Sequence, residues 1–299
     1  MSWQLSALNT GLRLLAKPRL GRTPCPEAAA RDLDRHAPLL MRQPAHLLHL
    51  QRPGGLHWIS AGACAPRQVI LYLHGGGYIS GNPRTHQGVM GRLSKLSGVE
   101  VCAPDYPLAQ NLPFPAPFEA ASAAWGRLRG LGYAPPQVVL AGDSAGGGLA
   151  LALLSVLCIR GEAPAGAVVF SPWTDLAMTG ESLARNAAAD PFLPVGRISE
   201  LVEIVAGDLP RRDPRLSPLY ADFPGCPPVR LCWAGSEILA DDGARMAARL
   251  RSAGARVEVE THPLAPHAWP VFDGWLPEAR ATLRRAARFV QDVLCETSR

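Results

Sequence analysis

The run from Val138 to Gly147, Val-Val-Leu-Ala-Gly-Asp-Ser-Ala-Gly-Gly, constrains the fold of this chain more than any other stretch. Its apolar start reads as a buried strand, and the Gly-x-Ser-x-Gly that ends it leads at once into the helical run Gly148 to Ile159. A strand that breaks so abruptly into a helix needs turn positions without a Cβ, which Gly142 and Gly146 supply. The Ser144 hydroxyl is then left projecting from the end of a sheet, the geometry of a nucleophile elbow. Taken alone, so short a pattern also describes a glycine-rich helix start, and the rest of the chain must decide.

Upstream, the apolar strand Val69-Ile-Leu-Tyr-Leu73 runs into His74-Gly-Gly-Gly77, a second strand-end glycine cluster. Acyl transfer builds negative charge on a carbonyl oxygen, and peptide N–H groups unobstructed by side chains can be aimed at it. Gly75, Gly76 and Gly77 offer such donors. Ala145, the residue after the serine, offers another from the first turn of its helix, where N–H groups lack internal partners. The competing reading is a phosphate-cradling loop. Neither cluster spells Gly-x-Gly-x-x-Gly, and no Gly-Lys-Ser/Thr occurs, so both nucleotide fingerprints fail.

A serine nucleophile needs a base, and the base an orienting acid. His262 and His267 are the histidines that follow Ser144, both after the strand-like Arg256-Val-Glu-Val-Glu260. His267 lies further along the loop, just before a new helix, and is favoured over His262 on those grounds. The acid should leave the preceding strand, Val229 to Ala234. Glu237 sits in that exit loop, whereas Asp241 and Asp242 fall where the next helix opens and suit first-turn carboxylates.

These residues together resemble the bacterial hormone-sensitive-lipase family of α/β-hydrolase carboxylesterases. The resemblance rests on His-Gly-Gly-Gly at 74–77 and Gly-Asp-Ser-Ala-Gly-Gly at 142–147. It extends to Asp105-Tyr-Pro-Leu-Ala109, Pro113-Phe-Pro-Ala116, Ser171-Pro-Trp-Thr-Asp-Leu176 and Ser217-Pro-Leu-Tyr220, and so covers most of the chain after residue 65. It implies a catalytic acid four residues before a helix-opening Asp, with the histidine about thirty residues after the acid. Glu237, Asp241 and His267 meet both spacings, giving Ser144, His267 and Glu237 as the triad and Asp241 as the outside candidate for the acid. Two departures stand out: Glu where many members have Asp, and Gln110 where the family usually has Pro. The longer Glu side chain still reaches an imidazole, and Gln110 receives no functional reading. Asp143, beside the nucleophile, is expected to brace the elbow. Tyr78, Phe192, Trp269 and Phe272 are candidates for the pocket wall or for ordinary core.

The order of elements is strand, Gly/Pro turn, helix, without internal repeats, which predicts an α/β fold with a mostly parallel central sheet flanked by helices. Strands are expected near 69–73, 99–103, 137–141, 166–170, 228–234 and 256–260, with His57-Trp-Ile59 as an antiparallel edge and a closing helix from Glu278 to Leu294. Residues 1–45 and 181–215 break the alternation. By resemblance they form a helical cap over the site, between core segments 46–180 and 216–299. Asp190-Pro-Phe-Leu193 and the helix near Ile198 to Val205 are expected to line or hinge it. A cap has a physical purpose, because a serine on an open sheet top would face bulk water and lose electrostatic stabilisation.

With 299 residues and 47% hydrophobic content, the chain can bury a large core as one α/β unit. Its net charge of +5 comes from scattered arginines without an aromatic-interleaved patch, which argues against nucleic acid. Seven dispersed cysteines with no Cys-x-x-Cys indicate neither a disulfide framework nor a zinc ribbon, and Cys102, Cys158 and Cys232 read as small core residues. Reduced thiols fit a cytoplasmic setting. Met1 to Leu15 reads as an amphipathic helix and not as a signal peptide, and the longest apolar run is too short to span a bilayer. The expectation is therefore a serine carboxylesterase acting on short- to medium-chain esters, with a small-molecule ester as its partner. No cofactor, no metal and no membrane insertion are expected. Similar enzymes imply a homodimer through the sheet edge. An amidase or arylformamidase would use the same triad, a hydrolase-fold receptor would lack the histidine, and a lipid-droplet lipase would want a long hydrophobic lid.

Overall fold

A computed structural model describes residues 1–52 and 54–297. Among them, eight strands form one sheet: β1 (Leu48–Arg52), β2 (Leu56–Ser60), β3 (Val69–Leu73), β4 (Glu100–Pro104), β5 (Val138–Asp143), β6 (Gly166–Phe170), β7 (Val229–Ala234) and β8 (Val257–His262). Their spatial order is β1-β2-β4-β3-β5-β6-β7-β8. Pairing is parallel from β4 to β8 and antiparallel at β1–β2 and β2–β4. The segment around His57 to Ile59 is antiparallel as expected, yet it is not the edge. β1 lies outside it, a Leu-His-Leu-Gln-Arg strand with most of its residues exposed. Its Leu48 and Leu50 alternate with polar residues but stay exposed, and so short an alternation with no buried face is a weak strand signal.

The central strands are apolar on both faces because helices cover both faces. Val69, Leu71 and Leu73 of β3 pack into one core, together with α5 (Ala116–Gly130), α6 (Ser144–Ile159), α8 (Ile198–Ala206) and α9 (Ala240–Ser252). Ile70 and Tyr72 point the other way, into a core shared with α1 (Trp3–Gly11), α4 (Gln87–Ser97) and α10 (Pro277–Glu296). Cys102, Cys158 and Cys232 are buried thiols in these cores. After α1 the chain passes through a π-helical turn at Leu12–Ala16 into α2 (Lys17–Arg22) and α3 (Pro26–Leu40). A short α7 (Ser182–Arg185) completes the set, and no described helix is long and apolar enough to cross a membrane.

Register is what prepares the site. Leu73 pairs with Gly142, Asp143 with Phe170, Phe170 with Cys232, and Ala234 with His262. The carboxyl ends of β3, β5, β6, β7 and β8 therefore lie side by side, and the loops that leave them share one edge of the sheet, where ligands bind in open α/β folds.

Candidate active site

Ser144 follows β5 directly and opens α6 with φ 52°, a left-handed conformation that a non-glycine residue holds only at a cost of order 1–3 kcal/mol. The turn is possible because glycines stand two positions to either side, at 142 and 146. A Cβ on Gly146 would lie 2.1 Å from the carbonyl oxygens of both Leu73 and His74. The elbow and the β3 exit are thus packed backbone against backbone.

Ser144 Oγ lies 2.8 Å from His267 Nε2. On the other side of the ring, His267 Nδ1 is 2.9 Å from Glu237 Oε2. Since a carboxylate can only accept, Nδ1–H donates to Glu237, and Nε2 is left to accept the Ser144 O–H. Glu237 is fully buried and His267 nearly so. Burial pushes the Glu237 carboxyl above its ordinary range, and the facing His267 and nearby Ser171 offset that only in part. Its second oxygen has no partner of sound hydrogen-bond geometry. The Ser171 hydroxyl, close enough to ease the charge, accepts the Ala268 N–H at 2.9 Å through a lone pair, which leaves its O–H directed by no other bond among the described residues. For His267, burial works against the imidazolium, but Glu237, Asp190 and Asp143 outweigh it and hold the ring above the ordinary imidazole value.

The other candidates for base and acid are engaged elsewhere. His262 Nδ1 accepts the Leu264 N–H, and its ring sits 6.2 Å from that of Trp269. Asp241 takes the Ser182 N–H at 2.9 Å and Arg185 at 2.7 Å. Asp242 accepts the N–H groups of Thr174 and Asp175, tying α9 to the β6 exit loop.

Asp143 braces the loop after β3. Its Oδ1 accepts the Tyr72 hydroxyl at 2.8 Å and the Gly75 N–H at 3.0 Å, and Oδ2 lies 3.5 Å from His86 Nε2. Burial would raise this carboxyl, but His86, Tyr72 and His74 together hold it below its ordinary value. This arrangement corrects one expectation, because the Gly75 N–H is spent on Asp143 and is not free for an oxyanion. The N–H groups of Gly76 and Gly77 have no acceptor among the described residues, and that of Ala145 lies in the first turn of α6. Behind the loop the His74 ring stacks on Tyr106 at 4.1 Å, and burial lowers His74 to about 3, so it is neutral.

Of the four aromatic residues that could have faced either the pocket or the core, Tyr78, Trp269 and Phe272 lie in the core. Trp269 turns its indole N–H to Thr282 of α10, and Phe272 is buried in the same cluster. Phe192 packs edge-on against Phe272, and Tyr78 is buried against Phe114. Above the site, Leu201 of α8 lies 3.1 Å from where a Cβ of Gly77 would stand. The N-terminal helices meet the same insertion: Arg197 donates to the carbonyls of Gly21 and Thr23. Ser171, Ser182, Asn186, Asp190 and His86 were not read as site residues from sequence. Ser171 opens the Ser-Pro-Trp-Thr-Asp-Leu motif, and Asp190 falls in the segment expected to line or hinge the cap. No described group of His, Cys, Asp and Glu side chains is arranged to hold a metal ion.

Residues 70–271 match the family model described as alpha/beta hydrolase fold. An acetyl-hydrolase of Streptomyces hygroscopicus is 36% identical over 225 residues, 75% of either chain. An esterase of Acinetobacter venetianus is 33% identical over 74% of either chain. Among solved structures, an esterase of the bacterial hormone-sensitive lipase family superimposes with a TM-score of 0.91 at 34% identity, covering 98% of this chain and 99% of its own. EstE5 soaked with p-nitrophenyl butyrate gives 0.92 at 29% identity, over 99% of this chain and 100% of its own.

Proposed function

We propose, from the premise that this chain belongs to the α/β-hydrolase family of hormone-sensitive-lipase-like carboxylic ester hydrolases, that it cleaves short- to medium-chain esters with Ser144, His267 and Glu237. The observation that carries the reading is the unbroken line from Ser144 Oγ through His267 to Glu237 Oε2, with contacts of 2.8 and 2.9 Å. His267 Nε2 removes the hydroxyl proton as Ser144 Oγ attacks the ester carbonyl carbon, and Glu237 stabilises the imidazolium that forms. The carbonyl π pair moves onto its oxygen, opposite the N–H groups of Gly76, Gly77 and Ala145. Collapse breaks the bond to the alcohol oxygen, which takes the proton from His267. Water then attacks the acyl-enzyme by the same route, releasing the acid and restoring Ser144. None of these steps draws on a cofactor.

Residues 1–45 and 181–215 act as the cap in this reading, and 46–180 and 216–299 as the catalytic core. Leu201 above Gly77, and Arg197 reaching Gly21 and Thr23, support it. Buried Leu12 and exposed Leu14 and Leu15 give the N-terminal helices an inner and an outer face. The acetyl-hydrolase relative and the EstE5 structure soaked with a butyrate ester support a short acyl group.

The test is hydrolysis of p-nitrophenyl esters from acetate to palmitate by wild type and Ser144→Ala. Turnover that is lost with the serine and peaks at acetate to hexanoate is the expected result. A peak at long chains would refute the short-chain preference, and activity retained in Ser144→Ala would refute the nucleophile. Turnover of amides in preference to esters would move the chain to the amidase reading.

A further inference from the structure

We infer that Asp190 is a positioning residue for the acid Glu237, and that Arg13 and Lys17 of the N-terminal helices hold Asp190 in place, so that the cap fastens the triad as well as covering it. The inference rests on the triad reading above.

Glu237 stands in a short turn between β7 and α9, and a buried acid in a turn needs its backbone fixed if its carboxylate is to stay on one imidazole nitrogen. The segment from Ser182 to Asp190 supplies that fixing. Asp190 is fully buried. Its Oδ2 accepts the N–H of Ile238, the residue after Glu237, at 2.9 Å. Its Oδ1 accepts the N–H groups of Phe192 and Leu193 at 2.8 and 3.0 Å. Asn186 Nδ2 donates to the carbonyls of Gly235 and Glu237 at 2.9 and 2.8 Å. Ser182 Oγ donates to the Ile238 carbonyl at 2.7 Å and accepts the Asp241 N–H at 3.0 Å. The turn is held on both sides of Glu237 by side chains that bond its peptide groups, and the Asp190 charge also pushes the Glu237 carboxyl upward.

The clamp is in turn gripped from the N-terminus. Four consecutive carbonyls accept hydrogen bonds from two cations: Lys17 Nζ donates to Ala187 and Asp190 at 2.8 and 2.6 Å, and Arg13 to Ala188 and Ala189 at 2.6 and 2.8 Å. Such charge-assisted bonds are shorter and stronger than neutral ones. They connect residues 170 or more positions apart, from the N-terminal helices through the 187–190 turn to the Glu237 backbone. The charged groups that face His267 are Glu237, Asp190 and Asp143, so Asp190 also bears on the base through its charge.

Three variants test this on p-nitrophenyl acetate, with kcat, KM and a pH profile for each and circular dichroism to show folding. In Asp190→Asn either the Ile238 N–H or the Phe192–Leu193 pair loses its acceptor. The kcat should fall by about tenfold to a hundredfold with little change in KM, the scale set by small misplacements of a reacting group. The acid limb of kcat/KM should also move to lower pH, because a negative charge that favours the imidazolium is gone. Arg13→Met/Lys17→Met keeps the Asp190 charge. It should lose kcat by about tenfold while its acid limb stays in place, and Arg19→Met, which breaks only a surface pair with Asp32, should match wild type. A folded Asp190→Asn with wild-type kcat and an unmoved limb overturns the inference. Should that variant not fold, wild-type kcat in Arg13→Met/Lys17→Met overturns it instead. Ser144→Ala, run alongside, separates the two levels: turnover without the serine refutes the triad reading itself, whereas its loss together with unaffected cap variants refutes only the clamp.

Discussion

Replacing Asp143 by Ala should cost both stability and rate, and the structure sets the size of each. The carboxylate is the shared acceptor of the Tyr72 hydroxyl and the Gly75 N–H, all three buried. Removing it orphans two buried donors at about 1–3 kcal/mol each, so roughly 2–6 kcal/mol of unfolding free energy should go. Tyr72→Phe removes only one bond to the charged group, worth about 1.5–3 kcal/mol, and leaves Gly75 anchored. The double variant has no orphaned phenol, so it should be more stable than the sum of the single changes predicts. For residues in contact that coupling is about 0.5–3 kcal/mol. The rate should divide differently. Without Asp143 the loop bearing Gly76 and Gly77 loses its tether, and kcat should fall by about 10²-fold, the order of losing one oxyanion donor. Tyr72→Phe should stay within a few-fold of wild type. Urea denaturation with linear extrapolation, paired with kcat on p-nitrophenyl acetate, measures both quantities. Additivity within about 0.5 kcal/mol, or an Asp143→Ala enzyme with wild-type kcat, would refute the reasoning.

Further outcomes can be checked with the same assays. Glu237→Gln should lower kcat by up to about 10⁴-fold because the amide no longer dictates the His267 tautomer, whereas Asp241→Asn, which loosens a part-exposed contact to Arg185, should cost less than about fivefold; the reverse order would move the acid role to Asp241. Because Glu237, Asp190 and Asp143 hold His267 above its ordinary 6.5, and only the neutral ring accepts the serine proton, kcat/KM should fall as pH drops through a value above 6.5. An acid limb below that value would contradict the assignment. Gly146→Ala places a methyl 2.1 Å from two carbonyl oxygens and should lower stability by about 3 kcal/mol or more. Gly126→Ala, which meets nothing within 4 Å at an exposed position of helix α5, should instead raise it by about 0.5–1 kcal/mol; equal effects on thermal melting would refute the packing argument.

The parts of the site visible in the sequence are those where a local rule forces the residue type. Backbone packed on backbone requires glycine at 142 and 146, so the elbow announces itself. Buried parallel strands leave apolar runs, so β3, β5, β6 and β7 were placed within a residue or two of their observed bounds. β1 was not, since its side chains are mostly exposed and its Leu-His-Leu pattern satisfies no burial rule. Trp269 and Phe272 show the converse limit, because an aromatic residue two or five positions after the base can face the pocket or the core. Only the packing of α10 decides, and Thr282 draws the Trp269 indole inward.

The residues that escaped are of one kind. Asp190, Asn186 and Ser182 act on the acid turn through its peptide groups; Asp143, which the sequence does mark as a brace, acts on the Gly75 peptide in the same way. A side chain that bonds to a backbone N–H or carbonyl is indifferent to which residue carries that group, so it imposes no spacing and no partner type on the sequence. The same indifference explains the error at Gly75. Three glycines in a row look equivalent as N–H donors, and only the register of β3 against β5, Leu73 beside Gly142, shows that the first of them faces Asp143. Alignment of strand ends thus selects which of several chemically identical groups remains free for the reaction.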